Sequence, residues 1–308
     1  MRRTFIVGCP RSGTTLIQAM LARHPDVATL PETALFEHLF GELHWRWGDR
    51  GVARRRRRGL ARGFAREFGR RVLQDWEQRL EGTSRPAPWR LATCIDRFVA
   101  LLDTHAARAG RTMWIEKTPN HLLYIPEIAR HVPEARFVHV IRNGLDVVAS
   151  IADANLHHDD NHGFGGDAKL WADRWNRATA LHRRHVGEPN HHFVFLDDFV
   201  RDVPSGWRRL CLALELDPDA SLAETCSQPI ADLADEPWKR NAIGGKPRLP
   251  RSKARALFGP ALLDWLTQRL VSLEPLQRQC RAADHRHGLS RLRARASDRA
   301  APATTGPA

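Results

Sequence analysis

The stretch Gly8-Cys9-Pro10-Arg11-Ser12-Gly13-Thr14-Thr15 constrains the fold of this chain more than any other. Before it, Arg3 to Gly8 reads as a short buried strand. After it, Leu16, Ile17, Met20 and Leu21 fall at helical spacing within Thr14 to Arg23. Glycines let a turn point its backbone N–H groups inward, and a helix start adds unpaired donors and a partial positive charge. Ser12, Thr14 and Thr15 supply hydroxyls, and Arg11 supplies a cation inside the turn. The bland alternative is an ordinary glycine turn between strand and helix, but strand, turn and helix in this order make an anion cradle the better reading.

The rest of the chain extends the same plan. His24-Pro25-Asp26 stops the first helix because Pro25 cannot continue it. Val27 to Leu30 reads as a second strand, and Pro31-Glu32-Thr33 as the start of another helix. Residues 45–110, rich in Arg and Trp, read as a helical insertion covering one end of the sheet. Further strands are expected at Thr112–Glu116, Ala135–Arg142 and His192–Leu196, with a helix from Asn143-Gly144 through Ser150 and another near Ser205–Leu216. Asn120 can cap the segment after the third strand, and Pro126 opens a helical turn. Strands alternating with helices imply an α/β fold: a mainly parallel sheet flanked by helices, with the insertion added. The expected organisation is one domain, 1–284, followed by a disordered basic tail, 285–308.

A nucleotide triphosphatase loop reads GxxxxGK[ST]. Here Thr14 stands where the lysine belongs, so no lysine is placed on β- and γ-phosphates. The segment instead resembles the 5′-phosphosulfate loop of sulfotransferases that use 3′-phosphoadenosine-5′-phosphosulfate (PAPS). Arg142-Asn143-Gly144-Leu145-Asp146-Val147-Val148-Ala149-Ser150 matches that family's RxxxDxxxS signature for the 3′-phosphate. Taken alone, the second motif could be an arginine followed by a helix-capping Asp146; the two motifs in order, each at a strand-to-helix junction, are strong together. The resemblance covers residues 3–35 and 112–200 and implies a P-loop-type sheet. It assigns PAPS to Arg11, Ser12, Gly13, Thr14, Thr15, Arg142 and Ser150.

Within the family, the stretch from Pro10 through His24-Pro25-Asp26-Val27 to Glu32-Thr33 is similar to the tyrosylprotein and carbohydrate sulfotransferases. That similarity implies Glu32 as catalytic base, with Arg11 and Lys117 as catalytic cations. The bland alternatives are a glutamate in the first turn of a helix, where the dipole favours it, and a surface lysine in a loop. No metal is implied, and the acceptor is a hydroxyl or amine on a small molecule, carbohydrate or peptide. Many relatives have Tyr-Glu-Asp-Leu after the last strand; here the run is Leu196-Asp197-Asp198-Phe199. Trp238-Lys239 loosely resembles a late cofactor-contacting segment. The rival readings are a nucleotide kinase-like phosphotransferase and a non-catalytic nucleotide-binding protein.

Charge and cysteines narrow the setting. Lys plus Arg number 48 against 35 Asp plus Glu, a net charge of +13 that favours anionic partners. The Arg54–Arg58 run suggests nucleic acid, yet no nucleic-acid fold accompanies it; a solvated face or an anionic acceptor is expected instead. Cys9, Cys94, Cys211, Cys226 and Cys280 form no CxxC pair, so neither a disulfide framework nor a structural zinc site is expected. With no leader pattern and no membrane-length apolar run in the sequence, the expected compartment is cytoplasmic. His157, His158, Asp159, Asp160 and His162 have metal-ligand chemistry but lack a second pair at helical spacing, so a polar acceptor-side loop is expected there. Trp171 and Trp175, at i, i+4, are expected in the core.

Overall fold

The computed structural model describes residues 1–49, 59–157, 164–224, 228–231, 239, 242–243, 247 and 252–284, with 59–66 described by backbone alone. The Arg54–Arg58 run, His158 to His162, Cys226, Trp238 and the tail lie outside the described residues. Five strands, β1 (Arg2–Gly8), β2 (Val27–Thr29), β3 (Met113–Lys117), β4 (Arg136–Ile141) and β5 (His191–Phe195), form one parallel sheet in the order β2-β3-β1-β4-β5. The helices are α1 (Thr14–Leu21), α2 (Leu35–Phe40), α3 (Leu43–Trp47), α4 (Gly59–Glu81), α5 (Leu91–Arg108), α6 (Ile125–His131), α7 (Gly144–His157), α8 (Ala168–Arg184), α9 (Leu196–Arg201), α10 (Val203–Leu214), α11 (Ala254–Leu257) and α12 (Pro260–Arg269).

Side-chain alternation along the strands separates two buried layers. Phe5, Val7, Trp114 and Phe137 face one layer, packed against α2, α5, α7 and α8. Ile6, Ile115, Val138 and Val140 face the other, with Ile17 and Leu21 of α1 and Leu210 and Leu214 of α10. The connection from β1 leads toward β2 on one side, and the connection from β4 leads to β5 on the other. The gap between the adjacent strands β1 and β4 is therefore the topological switch point, the usual ligand crevice of an open α/β sheet.

Two expectations about the elements change. The helix expected at Pro31-Glu32-Thr33 begins only at Leu35, after Ala34 in the left-handed conformation, so Glu32 lies in the β2–α2 connection. Within the expected insertion, α5 is part of the core layer: Ile95, Phe98 and Leu102 are fully buried. Its Asp103 accepts hydrogen bonds from Arg3 Nη2 and Trp114 Nε1, both at 2.7 Å, and so ties the helix to two strands. Arginine-rich composition hides that role, because only one stripe of the helix is apolar. α7 is capped by Asn143, whose Oδ1 accepts from Leu145 N at 3.0 Å and Asp146 N at 3.4 Å, which rules out the alternative of a capping Asp146.

Gly144 opens α7 against α8. A Cβ there would lie 2.8 Å from the ring of Trp175, which is 2% exposed and donates from Nε1 to the Arg142 carbonyl at 3.2 Å. That ring has nowhere to go. Gly144→Ala is expected to lower unfolding free energy by about 1–3 kcal/mol despite alanine's better helix propensity, as overpacking does. Urea denaturation at neutral pH measures this.

Candidate functional site

The loop after β1 is built from unusual backbone. Arg11 has φ 69° and Gly13 φ 92°, both left-handed. For a residue with a side chain that conformation costs about 1–3 kcal/mol, and such strain collects at functional positions. The turn closes through Ser12 N–H donating to Cys9 O at 3.2 Å. At Gly13 a Cβ would meet Leu196 Cδ2 at 2.7 Å, so glycine is required by space as well as by φ. Leu196 thus packs under the loop. α1 starts at Thr14, which places its first-turn amides at the loop. Ser12, Thr14 and Thr15 are buried beside them. Burial raises the Cys9 thiol pKa far above its usual range, so Cys9 is a packing residue there.

The two motifs meet across the switch point. Arg11 Nε donates to Ser150 Oγ at 3.1 Å, and its guanidinium lies 5.8 Å from the Phe164 ring centroid. Arg142, at the end of β4, is 8% exposed; its Nη1 reaches the Arg11 carbonyl at 3.5 Å, and its Nε is buried with no hydrogen-bond partner among the described residues. Burial lowers the Arg142 pKa, opposed by Asp146 and Asp197, but an arginine remains charged. A buried guanidinium with unused donors is costly unless an anion completes it.

On the other side of β1, Lys117 ends β3 with its side chain fully buried, which excludes the surface-lysine reading. Its Nζ donates to Glu32 Oε1 and lies 3.4 Å from Thr15 Oγ1. Lys239 Nζ donates to the same Glu32 oxygen at 2.6 Å. Burial alone would push the Glu32 carboxyl up, but attraction and hydrogen bonds from the two lysines prevail and bring it down to about 2. The neighbouring Glu116, fully buried, pins the connection that carries Glu32. It accepts from Thr33 N and Oγ1 at 3.2 and 2.9 Å and from Thr118 Oγ1 at 2.6 Å, and pairs with His121 Nδ1 at 2.8 Å. Burial raises the pKa of Glu116, but His121 and these hydrogen bonds outweigh it and leave the carboxyl below its ordinary range.

Glu32, Arg11, Lys117, Ser12, Gly13, Thr14, Thr15, Arg142 and Ser150 are thus gathered at the carboxyl ends of β1, β3 and β4. Lys239 joins them from 207 residues beyond Glu32. Its only sequence signal is the loose likeness of Trp238-Lys239 to a late cofactor segment, which says nothing about Glu32. Asn120 does not cap; its Nδ2 donates to Glu37 Oε2 at 2.9 Å. His157 Nδ1 lies 2.8 Å from the Asp153 carbonyl of its own helix. Trp171 and Trp175 are both buried in the core, with Trp175 also fastening the Arg142 backbone.

A family model described as the sulfotransferase family matches residues 4–220. The chain belongs to the sulfotransferase family. Nodulation protein NoeE of Sinorhizobium fredii (strain NBRC 101917 / NGR234) is 28% identical over 149 residues, covering 48% of this chain and 30% of that protein. A Caenorhabditis briggsae protein named as a protein-tyrosine sulfotransferase is 28% identical over 152 residues, covering 49% of this chain and 43% of that one. The chain therefore spans less than half the length of these curated relatives. Among solved structures, the sulfotransferase domain of the Synechococcus PCC 7002 olefin synthase is 21% identical with a TM-score of 0.45, over 85% of this chain and 82% of that one. The match through residue 220 includes the segment read as an insertion and ends before Lys239.

The lysine clamp has a measurable consequence in acid. The folded-state value of Glu32 is depressed, so its stabilisation is fully present above the ordinary value of 4.5 and is lost as pH falls toward about 2. Glu32→Gln mimics the protonated group. It is expected to lower unfolding free energy on the order of 2 kcal/mol at pH 6. Denaturation curves taken at decreasing pH should show that gap closing between about pH 4.5 and about 2; a gap independent of pH would refute the clamp.

Proposed function

We propose that this chain transfers a sulfuryl group from PAPS to a hydroxyl or amine acceptor by in-line displacement. The observation that carries the reading is the convergence of Arg11 on Ser150, at 3.1 Å, beside the buried and incompletely paired Arg142. A single phosphate loop needs only the first motif. A second anion site across the switch point suits a nucleotide carrying both 5′ and 3′ charges, and a planar arginine fork suits a phosphate. In this reading Arg142 and Ser150 take the 3′-phosphate, and the turn from Arg11 to Thr15 takes the 5′-phosphosulfate.

The reaction breaks the bond between sulfur and the bridging oxygen and forms one between sulfur and the acceptor oxygen or nitrogen. The leaving phosphate gains negative charge, and the acceptor loses a proton. Arg11 and Lys117 are positioned to meet that charge, and fixed cations at developing charge are the main resource of such group transfers. Glu32 is the proposed base. Clamped by two lysines it is fully ionised but weakly basic. As charge builds on the leaving oxygen, Lys117 shifts its hydrogen bond toward it; Glu32, with one cation fewer, becomes the better proton acceptor for the acceptor group. Sulfuryl transfer and the basicity of Glu32 are coupled through one ammonium group.

Small molecules, carbohydrates and peptides remain the acceptor classes in this proposal. Among the described residues no helix is long and apolar enough to cross a membrane. The buried free thiols of Cys9, Cys94, Cys211 and Cys280 fit the proposed reducing, cytoplasmic setting.

The test compares two nucleotides that differ in the 3′-phosphate. Adenosine 3′,5′-bisphosphate should raise the melting temperature without magnesium and bind more tightly than adenosine 5′-phosphate. Arg142→Ala should cost the bisphosphate on the order of 1.5–3 kcal/mol and the monophosphate little, as loss of a charge-assisted hydrogen bond does. Calorimetric titration of both ligands decides it. Equal weakening of the two would remove Arg142 from the 3′-phosphate site.

A further inference from the structure

The turn between α8 and β5 holds a second cluster that the transfer chemistry does not use. It has the pattern His185-x-x-Glu188-x-x-His191. Glu188 Oε2 lies 2.8 Å from His185 Nδ1 and 3.0 Å from His191 Nε2. All three ligand-type atoms fall within 4.8 Å of one another. The two imidazoles stack with centroids 4.4 Å apart and planes 2° from parallel, so both present nitrogen to one carboxylate. We propose that His185, Glu188 and His191 form a binding site for a divalent transition metal of the zinc class.

Loading needs the His185 ring to turn, because an ion lies in the plane of each imidazole that binds it and two parallel stacked rings do not share one. A tetrahedral ion with bonds of about 2.0–2.2 Å to nitrogen and oxygen keeps its ligand atoms about 3.3–3.6 Å apart. Two of the present separations need only open by a few tenths of an ångström. Two imidazoles and a carboxylate suit zinc, nickel or copper, whereas magnesium and calcium require more oxygen. Three protein ligands leave a fourth position for solvent. Glu188 is 49% exposed and gives the ion a path in; His185, 16% exposed, lies at the surface and is free to turn toward it, while His191, 7% exposed, is held from behind.

The scaffold is also suited to a site. Gly187, at φ 91°, turns the chain between the first two ligands. Glu188 N–H donates to the His185 carbonyl and His191 N–H to the Glu188 carbonyl, each at 3.2 Å. Behind His191, its Nδ1 lies 2.8 Å from His139 Nε2, and His139 Nδ1 lies 2.8 Å from His182 Nδ1. His139 is fully buried on β4, and the His191 ring stacks on Phe137 at 4.8 Å. A hydrogen bond to the rear nitrogen is what orients a ligating imidazole and fixes its tautomer. The cluster sits at the amino end of β5, away from the phosphate loop at the carboxyl ends. A metal there would fasten the end of α8 to the sheet, and α8 carries Trp175, which holds the Arg142 backbone.

The test uses the full chain, stripped with a chelator and dialysed, then titrated with zinc chloride against a chromophoric competitor. With 16 histidines in the chain, weak secondary binding is expected, so the readout is one tight equivalent per chain. Glu188→Gln and His185→Gln should each weaken that equivalent by about tenfold or more, the scale of lost metal-site interactions. His157→Gln should leave it unchanged. Zinc should raise the melting temperature of the wild type and not of the two variants, whose melting in chelator should match the wild type. The variant at exposed Glu188 keeps the test valid should His185→Gln fail to fold. Absence of a stoichiometric equivalent, or an equivalent that survives Glu188→Gln, would overturn the site.

Discussion

Two cations, Lys117 and Arg142, are buried at the carboxyl ends of the strands that flank β1, and the site depends on keeping both charged there. An isolated buried charge costs several kcal/mol even after relaxation. The protein meets that cost differently on each side. Lys117 is neutralised by Glu32, which also takes Lys239. Arg142 has nearby acids in Asp146 and Asp197 but retains a buried Nε without a hydrogen-bond partner among the described residues. The first side has its counter-charge within the protein; on the second, the Arg142 Nε has no acceptor among the described residues. In the proposed function that difference assigns the roles: the complete pair is poised to exchange partners during transfer, and the incomplete arginine recruits the 3′-phosphate.

The supporting elements follow from this requirement. Glu116 alternates away from Lys117 along β3 and anchors Thr33, so one strand positions both the cation and the connection bearing its counter-charge. Trp175 fills the space left by Gly144 and fastens the Arg142 carbonyl, so α8 sets the height of the arginine. Leu196 fills the corresponding space under Gly13. The proposed metal site at the far end of α8 would act on the same helix, through stability.

Much of this was legible in the sequence, for identifiable reasons. The central strands were readable because a parallel strand buried on both faces is a continuous apolar run, as in Thr4-Phe5-Ile6-Val7, while the edge strands β2 and β5 left only shorter apolar runs beside turn residues. The loop was readable because φ-positive glycine and clustered hydroxyls leave a local signature. Gly13 packing on Leu196 and Arg11 meeting Ser150 were not, since tertiary proximity across 139 residues has no local pattern. Lys239 is the clearest example: a lysine among basic residues gives no hint that it shares a carboxylate with Lys117. The helix expected at Pro31 failed because Glu116 captures the Thr33 amide and hydroxyl and Ala34 turns through the left-handed conformation, so the helix begins only at Leu35. The cluster His185-x-x-Glu188-x-x-His191 has no helical periodicity, so only the turn that brings its side chains together reveals it.

The most direct measurement is a single-turnover assay of sulfuryl transfer from labelled PAPS, comparing wild type with Glu32→Gln on an acceptor found by mass gain. The substitution keeps shape and removes basicity. The account predicts that affinity for adenosine 3′,5′-bisphosphate stays within about twofold while the transfer rate falls by about 10²–10⁴, the contribution of a positioned general base. Transfer at the wild-type rate by Glu32→Gln would contradict it and leave the Lys117–Glu32–Lys239 cluster as a structural ion pair.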